Sequence, residues 1–426
     1  MCVRYSAMPP TTLQIIAAVI FALAIIHIFS VKYFEHLAHR STKHSGLFHL
    51  LGEIEVVFGA WALILILFMF ILSGKQATVD YMNSRSYIEA MFVFVIMIIA
   101  ATRPILQTVV LFVKKLSTII PTKGATGFYF VVMFFVPILG SIITEPASMT
   151  LAALILSDKL FSQEISKKFR YATLGTLFVN VSIGGTLTNF AAPPILMVAG
   201  TWDWSTTFMF TTFGWKSMIA IFISTNLMIL IFYKELVNIK IRTTVSDREN
   251  IPFGIILTHY LFLFLVVFFG HYPAIFMSIF LLFLGITHAY QQYQDRLMLR
   301  EGLLVAFFLG GLVILGGQQQ WWLQDLIMKM SDLQAFFAAI TIGSVTDNAA
   351  ITYLGSLVEG LTDEFKYALV AGAVCGGGLT VIANAPNPAG VTILKSHFED
   401  STIDPWYLFL GALVPTIISA LCFLFL

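Results

Sequence analysis

The chain has 426 residues, of which 58% are hydrophobic and only 11% are charged, and its formal net charge is +1. A soluble domain carries roughly 25% charged residues, so this composition predicts an all-α polytopic membrane protein and excludes a large soluble fold. The apolar runs are continuous rather than alternating, which excludes a β-barrel. The near-zero net charge argues against a nucleic-acid partner.

Apolar runs that are long enough to span a bilayer recur along the chain. They lie at 12–32, 51–73, 87–112, 215–233, 252–270, 272–290, 301–317 and 405–426. Two further runs, 126–160 and 333–358, are interrupted near their middle by an acidic residue, and the runs 170–200 and 366–395 are interrupted by glycine clusters. Because such interruptions at matching places of two halves point to a transporter's binding site, we expect two re-entrant hairpins followed by two broken helices.

Three short sequence matches in the same order indicate an internal duplication. They pair Thr144-Glu145 with Thr346-Asp347, Phe169-Arg170-Tyr171-Ala172 with Phe365-Lys366-Tyr367-Ala368, and Gly184-Gly185-x-Leu187-Thr188 with Gly376-Gly377-x-Leu379-Thr380. Each match includes a polar or glycine-rich feature that is unusual in an apolar run. We therefore predict two repeats of five transmembrane helices, at 1–233 and 252–426, joined by a cytoplasmic linker at 234–251.

The distribution of basic residues tests this arrangement. If both hairpins are re-entrant, the chain crosses the membrane ten times, five times per repeat, so the second repeat is inverted. Seventeen lysines and arginines, including Lys240, Arg242 and Arg248 of the linker, then fall on one side and five on the other. The positive-inside rule makes the richer side cytoplasmic and places both termini outside the cell.

Glu145 and Asp347 are predicted to lie at membrane depth, where a charged side chain costs about 2.5–3.5 kcal/mol on insertion scales. A partner, a proton or a bound cation has to offset this cost. One interpretation is a structural ion pair with Arg103, the deepest basic residue. We favour an exchangeable cation site, because hairpin tips leave backbone carbonyls that can coordinate a cation.

The polar residues around the two acids offer oxygen ligands, which suit hard cations. The predicted Na⁺ ligands are Asp347, Asn348 and Glu145. The other residues predicted to bind the ion or the proton are Asn189, Asn384, Thr188, Thr380 and Ser148. The predicted supporting residues are Thr186, Asn387, Thr352 and Arg103.

Two stretches give the chain a resemblance to the ion transporter superfamily. They are Thr346-Asp347-Asn348-Ala349-Ala350 and Gly184-Gly185-Thr186-Leu187-Thr188-Asn189-Phe190-Ala191-Ala192-Pro193-Pro194. The chain looks closest to the sodium/proton antiporters of that superfamily, including the NhaD type, with arsenite permeases and dicarboxylate carriers as more distant relatives. The resemblance implies a homodimeric carrier whose hairpins and broken helices move against a fixed scaffold, as in an elevator.

The dicarboxylate branch carries Ser-Asn-Thr at its hairpin tips, where this chain has acids. An anionic tip repels a dicarboxylate, so the difference favours a cation substrate. Proteins of the NhaD type tend to have Asp-Asn-Val-Pro at the second tip, whereas this chain has Asp347-Asn348-Ala349-Ala350.

The sequence therefore leads to the hypothesis of a secondary antiporter that exchanges Na⁺ or Li⁺ for H⁺ by alternating access in the bacterial inner membrane. Its partners are these ions, the lipid bilayer and a second copy of the chain, and it needs no cofactor. One alternative is a Na⁺-coupled symporter of an organic or inorganic anion, in which Arg103 or helix N-termini hold the anion. A more distant alternative is an intramembrane enzyme, for which we find no HExxH, no Gly-x-Ser with a His partner and no protease-like Asp pair.

Overall fold

The computed structural model describes residues 9–41, 43–120, 123–239 and 250–426. Within these ranges every regular element is a helix and there is no strand. The fold is therefore all-α, as predicted. Only the two ends of the predicted linker are described, so Lys240, Arg242 and Arg248 lie outside the described residues.

Apart from short 3₁₀ and π segments, the described residues form eleven helices before the linker and nine after it. Those before the linker are α1 (Thr12–Arg40), α2 (Ser45–Leu51), α3 (Ile54–Asn83), α4 (Ile88–Ala100), α5 (Arg103–Ile119), α6 (Thr126–Ile143), α7 (Glu145–Leu156), α8 (Lys167–Gly184), α9 (Pro193–Ala199), α10 (Thr206–Ile231) and α11 (Tyr233–Asn238). Nine helices follow the linker. They are α12 (Phe253–Phe268), α13 (Pro273–Ala289), α14 (Leu299–Gly316), α15 (Gln320–Ile327), α16 (Asp332–Val345), α17 (Asn348–Ser356), α18 (Asp363–Gly376), α19 (Asn387–Leu394) and α20 (Pro405–Phe425).

Six of the described helices are long and apolar enough to cross a bilayer, namely α1, α3, α6, α10, α14 and α20. The outward faces carry large apolar side chains, such as Leu63, Leu67 and Phe70 on α3, each more than half exposed. Lipid is the solvent that makes such a surface favourable. The chain is therefore an integral membrane protein.

The predicted single run at 87–112 is instead two helices, α4 and α5, bent by 61°. The break falls at Ala101 and Thr102, and Pro104 lies in the first turn of α5. Proline cannot continue a helix from the residues before it but is well suited to the first turn of a new one, which explains the bend. By length and composition the described chain has up to seven spans, and the ten crossings stay a prediction.

Two helix-turn-helix units and two interrupted helices occupy the middle of the molecule. The helices α6 and α7 pack against each other, and α16 packs on both α17 and α18. The interruption after α8 leads into α9, which packs on α17. The interruption after α18 leads into α19, which packs on α7. Each short helix thus contacts the helix pair of the other half, which brings the two acidic turns together.

Candidate ion-binding site

Glu145 opens α7 directly after a strained turn. Thr144, between α6 and α7, has φ 73°, a conformation that a β-branched residue rarely adopts. The turn leaves Glu145 with 0% of its surface exposed. Its Oε2 accepts a hydrogen bond of 2.9 Å from Asn384 Nδ2, while Oε1 has no hydrogen-bond partner among the described residues.

Asp347 forms the N-cap of α17. Its Oδ1 accepts a hydrogen bond of 2.8 Å from the amide of Ala349, and the amides of Ala350 and Ala385 also face the carboxyl group. The residue is 4% exposed. It lies within electrostatic range of Glu145, and Asn384, which donates to Glu145, also lines the pocket beside Asp347, so the acids of the two turns lie near each other.

Three asparagines next to these acids are buried and incompletely hydrogen-bonded. Asn348 has no partner for either side-chain amide atom, and Asn384 has none for Oδ1, among the described residues. Asn387 donates to the carbonyls of Gly377 and Thr380 at 2.8 and 2.9 Å, and its Oδ1 is also without a partner there. Because an unsatisfied buried oxygen is costly, this cluster of acceptors is suited to a cation.

A small pocket lies beside Asp347, with a volume of about 10 Å³. It is lined by side chains of α3 and α14 and by the interruption between α18 and α19, including Glu55, Phe308 and Asn384. This volume holds about one water-sized particle. In the described part of the chain no three His, Cys, Asp or Glu side chains are grouped to hold a metal ion, so amide and backbone oxygens have to complete any ligand set.

The hydroxyl groups that were predicted as ligands form hydrogen bonds with backbone carbonyls. Thr188 Oγ1 donates to the carbonyl of Ser141 at 2.7 Å, and Thr380 Oγ1 donates to that of Ser344 at 2.6 Å. Each bond joins an interrupted helix to the helix before an acidic turn. Remaining hydroxyl contacts are Ser148 with Val136, Thr186 with Ile183 and Ser217, and Thr352 with Ala349.

Two of the predicted residues point elsewhere. Asn189 donates to the carbonyl of Trp204 and accepts from Thr206, so both its amide atoms are engaged by the connection between α9 and α10. Arg103 begins α5 and donates to the carbonyl of Gln292 at 3.4 Å. This contact lies at the connection between α13 and α14. The ion pair of Arg103 with an acidic turn, and its role in the anion-carrier alternative, stay predictions.

Glu55 lies beside Asp347, a placement that the sequence did not predict. It lies in the first turn of α3, two residues after Glu53, a position typical of a membrane interface. The structure places it in the pocket with Asp347 and within electrostatic range of that carboxyl group. The available signal was an acidic residue flanked on both sides by apolar ones in the pattern Ile54-Glu55-Val56.

Carboxylates buried among long apolar helices are typical of integral membrane proteins that move ions. A sequence model of the family described as "Putative Na+/H+ antiporter" matches residues 12–426, and the chain belongs to this family. The family predicted from the second acidic turn and the glycine-rich stretch at 184–194 is thereby confirmed. No curated protein matches the chain.

Proposed function

We propose that the chain exchanges Na⁺ or Li⁺ for H⁺ by secondary active transport with alternating access. Membership of the antiporter family supports cation/proton exchange. The observation that carries the proposal is the buried pair of Glu145 and Asp347, which interact with each other and have no basic partner among the described residues. Two such carboxylates need protons or a cation to offset their charge.

The exchange follows from competition for the same oxygens. Na⁺ binds to ionised carboxylates and protons bind to the same atoms, so each ligand displaces the other. Asn384 and Asn348 supply further oxygens for the cation form. Since the two acids interact, they titrate as a pair, and their occupancy changes together.

We further propose that the acidic turns are re-entrant hairpins of two inverted repeats that move in an elevator-like manner. A recurrent contact supports the duplication: the bond of Thr188 to Ser141 has a counterpart in the bond of Thr380, 192 residues after Thr188, to Ser344, 203 residues after Ser141. The distribution of seventeen lysines and arginines on one side and five on the other supports the inversion of the second repeat. The homodimer and the bacterial inner membrane stay predictions.

The test is transport in proteoliposomes that contain a pH-sensitive dye. Adding Na⁺ or Li⁺ outside acid-loaded vesicles is expected to move protons out. Asp347→Asn removes the ionisable group and is expected to abolish exchange, whereas Asp325→Asn changes an exposed acid of α15 and is expected to leave it intact. If the unmodified protein never releases protons, the antiport proposal is wrong. If Asp347→Asn keeps full activity, the site assignment is wrong.

A further inference from the structure

Glu55 belongs to a helix pair that is separate from both acidic turns. It lies on α3, which packs closely along α14. Gly311 of α14 lies against the backbone of Gly59 on α3, so even a methyl group at Gly311 would collide with main-chain atoms. Close backbone contact of this type makes α3 and α14 a rigid unit next to the site.

The pocket beside Glu55 has the chemistry of a cation site. Glu55 and Asp347 both line it, and so does Asn384, which is 1% exposed. The Nδ2 of Asn384 is committed to Glu145, so its Oδ1, which has no partner in the described part of the chain, is available as a ligand. Two carboxylates and an amide oxygen around space for about one small particle suit a monovalent hard cation.

The nearest basic residue is committed to another acid. Arg300, in the first turn of α14, forms its ion pair with Glu53. Arg300 also lies within electrostatic range of Glu55, but its ion pair is with Glu53, and Glu55 lines the pocket together with Asp347. Two carboxylates that share a small pocket repel each other, and a cation between them removes that repulsion.

We propose that Glu55 is a third acidic residue of the transport site and binds the cation together with Asp347 and Asn384. This inference rests on the proposed exchange function. Asp347 lies in the turn between α16 and α17, whereas Glu55 lies on α3. A cation held by both side chains fastens that turn to α3 in this conformation, and the bond is lost when the turn moves away. Glu55 therefore sets the cation affinity at one face of the membrane only.

The first test compares Glu55→Gln, Glu55→Asp and the control Glu301→Gln, an exposed glutamate in the first turn of α14. The Na⁺ KM is measured from each face, in right-side-out and in inverted membrane vesicles. Loss of a charged ligand is expected to raise the KM of Glu55→Gln about tenfold or more at one face. Glu55→Asp keeps the charge and is expected to show a smaller rise, and Glu301→Gln none. An unchanged KM for Glu55→Gln, or an equal rise at both faces, overturns the proposal.

The second test uses the unmodified protein and needs no transport. A hydrophobic carbodiimide reacts with carboxyl groups in apolar surroundings, and mass spectrometry locates the adduct. Na⁺ is expected to slow the labelling of Glu55, while choline is expected to have no effect. Equal labelling in both salts, or none in either, overturns the role of Glu55. Because this result does not depend on proton release, a failure of the exchange proposal and a failure of the Glu55 proposal are distinguishable.

Discussion

Asn384 links the two halves of the site through a single amide. Its Nδ2 donates to Glu145, the first residue of α7. Asn384 itself lies in the interruption between α18 and α19 and lines the pocket beside Asp347. The bond to a buried carboxylate stabilises the charged form of Glu145, which is the form that binds a cation. A hydrogen bond to a charged group contributes about 1.5–3 kcal/mol.

Replacing Asn384 by Ala removes this donor and one oxygen of the pocket. We expect the KM for Na⁺ to rise roughly 10- to 100-fold, which is the energy of such a bond expressed as affinity. The measurement is dye-monitored exchange in proteoliposomes over a Na⁺ series. Asn226→Ala is the matched control, because the one hydrogen bond that its side chain donates among the described residues goes to the carbonyl of Phe222 in its own helix. A KM within twofold of the unmodified protein for Asn384→Ala would contradict the assignment.

The acids of the two turns could be predicted from sequence because each is an exception within an apolar run. The place of Glu55 beside Asp347 could not, because only the fold brings residues 55 and 347 to one pocket, and no local pattern records this. Arg103 is also an exception within an apolar run, and the structure places its side chain against the carbonyl of Gln292.

At the scale of helices, two glycines allow the interrupted helices to approach the helices that precede the acidic turns. Gly184 ends α8 against the carbonyl of Pro137, and Gly376 ends α18 against the carbonyl of Ile340. A Cβ at Gly376 would lie 2.6 Å from that oxygen. Main-chain atoms cannot rotate away as a flexible side chain can, so these contacts require glycine.

Gly376→Ala is therefore expected to reduce stability by about 1–3 kcal/mol, the usual effect of overpacking. The measurement is the thermal unfolding midpoint of the detergent-solubilised protein. Gly285→Ala on α13 is the control, since a Cβ there meets no atom within 4 Å and alanine favours the helix. An unchanged midpoint for Gly376→Ala would show that α18 and α16 can separate without cost.

The sequence predicted where the central helices stop. The turn at Thr144 and the helix ends at Gly184 and Gly376 fall inside the polar and glycine-rich stretches that indicated them. The bend between α4 and α5 was not predicted, because hydropathy continues across it. Pro104 is the residue that indicates the bend, because proline favours the first turn of a new helix.

At the scale of the whole molecule, the starts of two equivalent helices carry opposite charge. Lys167 and Lys168 open α8, whereas Asp363 and Glu364 open α18, 196 residues later, and each pair precedes a buried phenylalanine. By the positive-inside rule, a helix start that carries lysines lies in the cytoplasm, whereas acidic residues at a helix start do not determine its side of the membrane. An inverted duplication explains the difference, because the same helix then begins on opposite faces.

Single cysteines at these starts test the inversion in intact cells. In a Cys2→Ser background, with Cys375 and Cys422 buried, Glu364→Cys is expected to react with a membrane-impermeant maleimide added outside. Glu164→Cys, in the exposed connection before α8, is expected to react only after the membrane is permeabilised. Equal labelling of both variants in detergent controls for access. If both cysteines react from the same side of intact cells, α8 and α18 run in the same direction, and neither the inverted repeats nor an approach of the two acidic turns from opposite faces can hold.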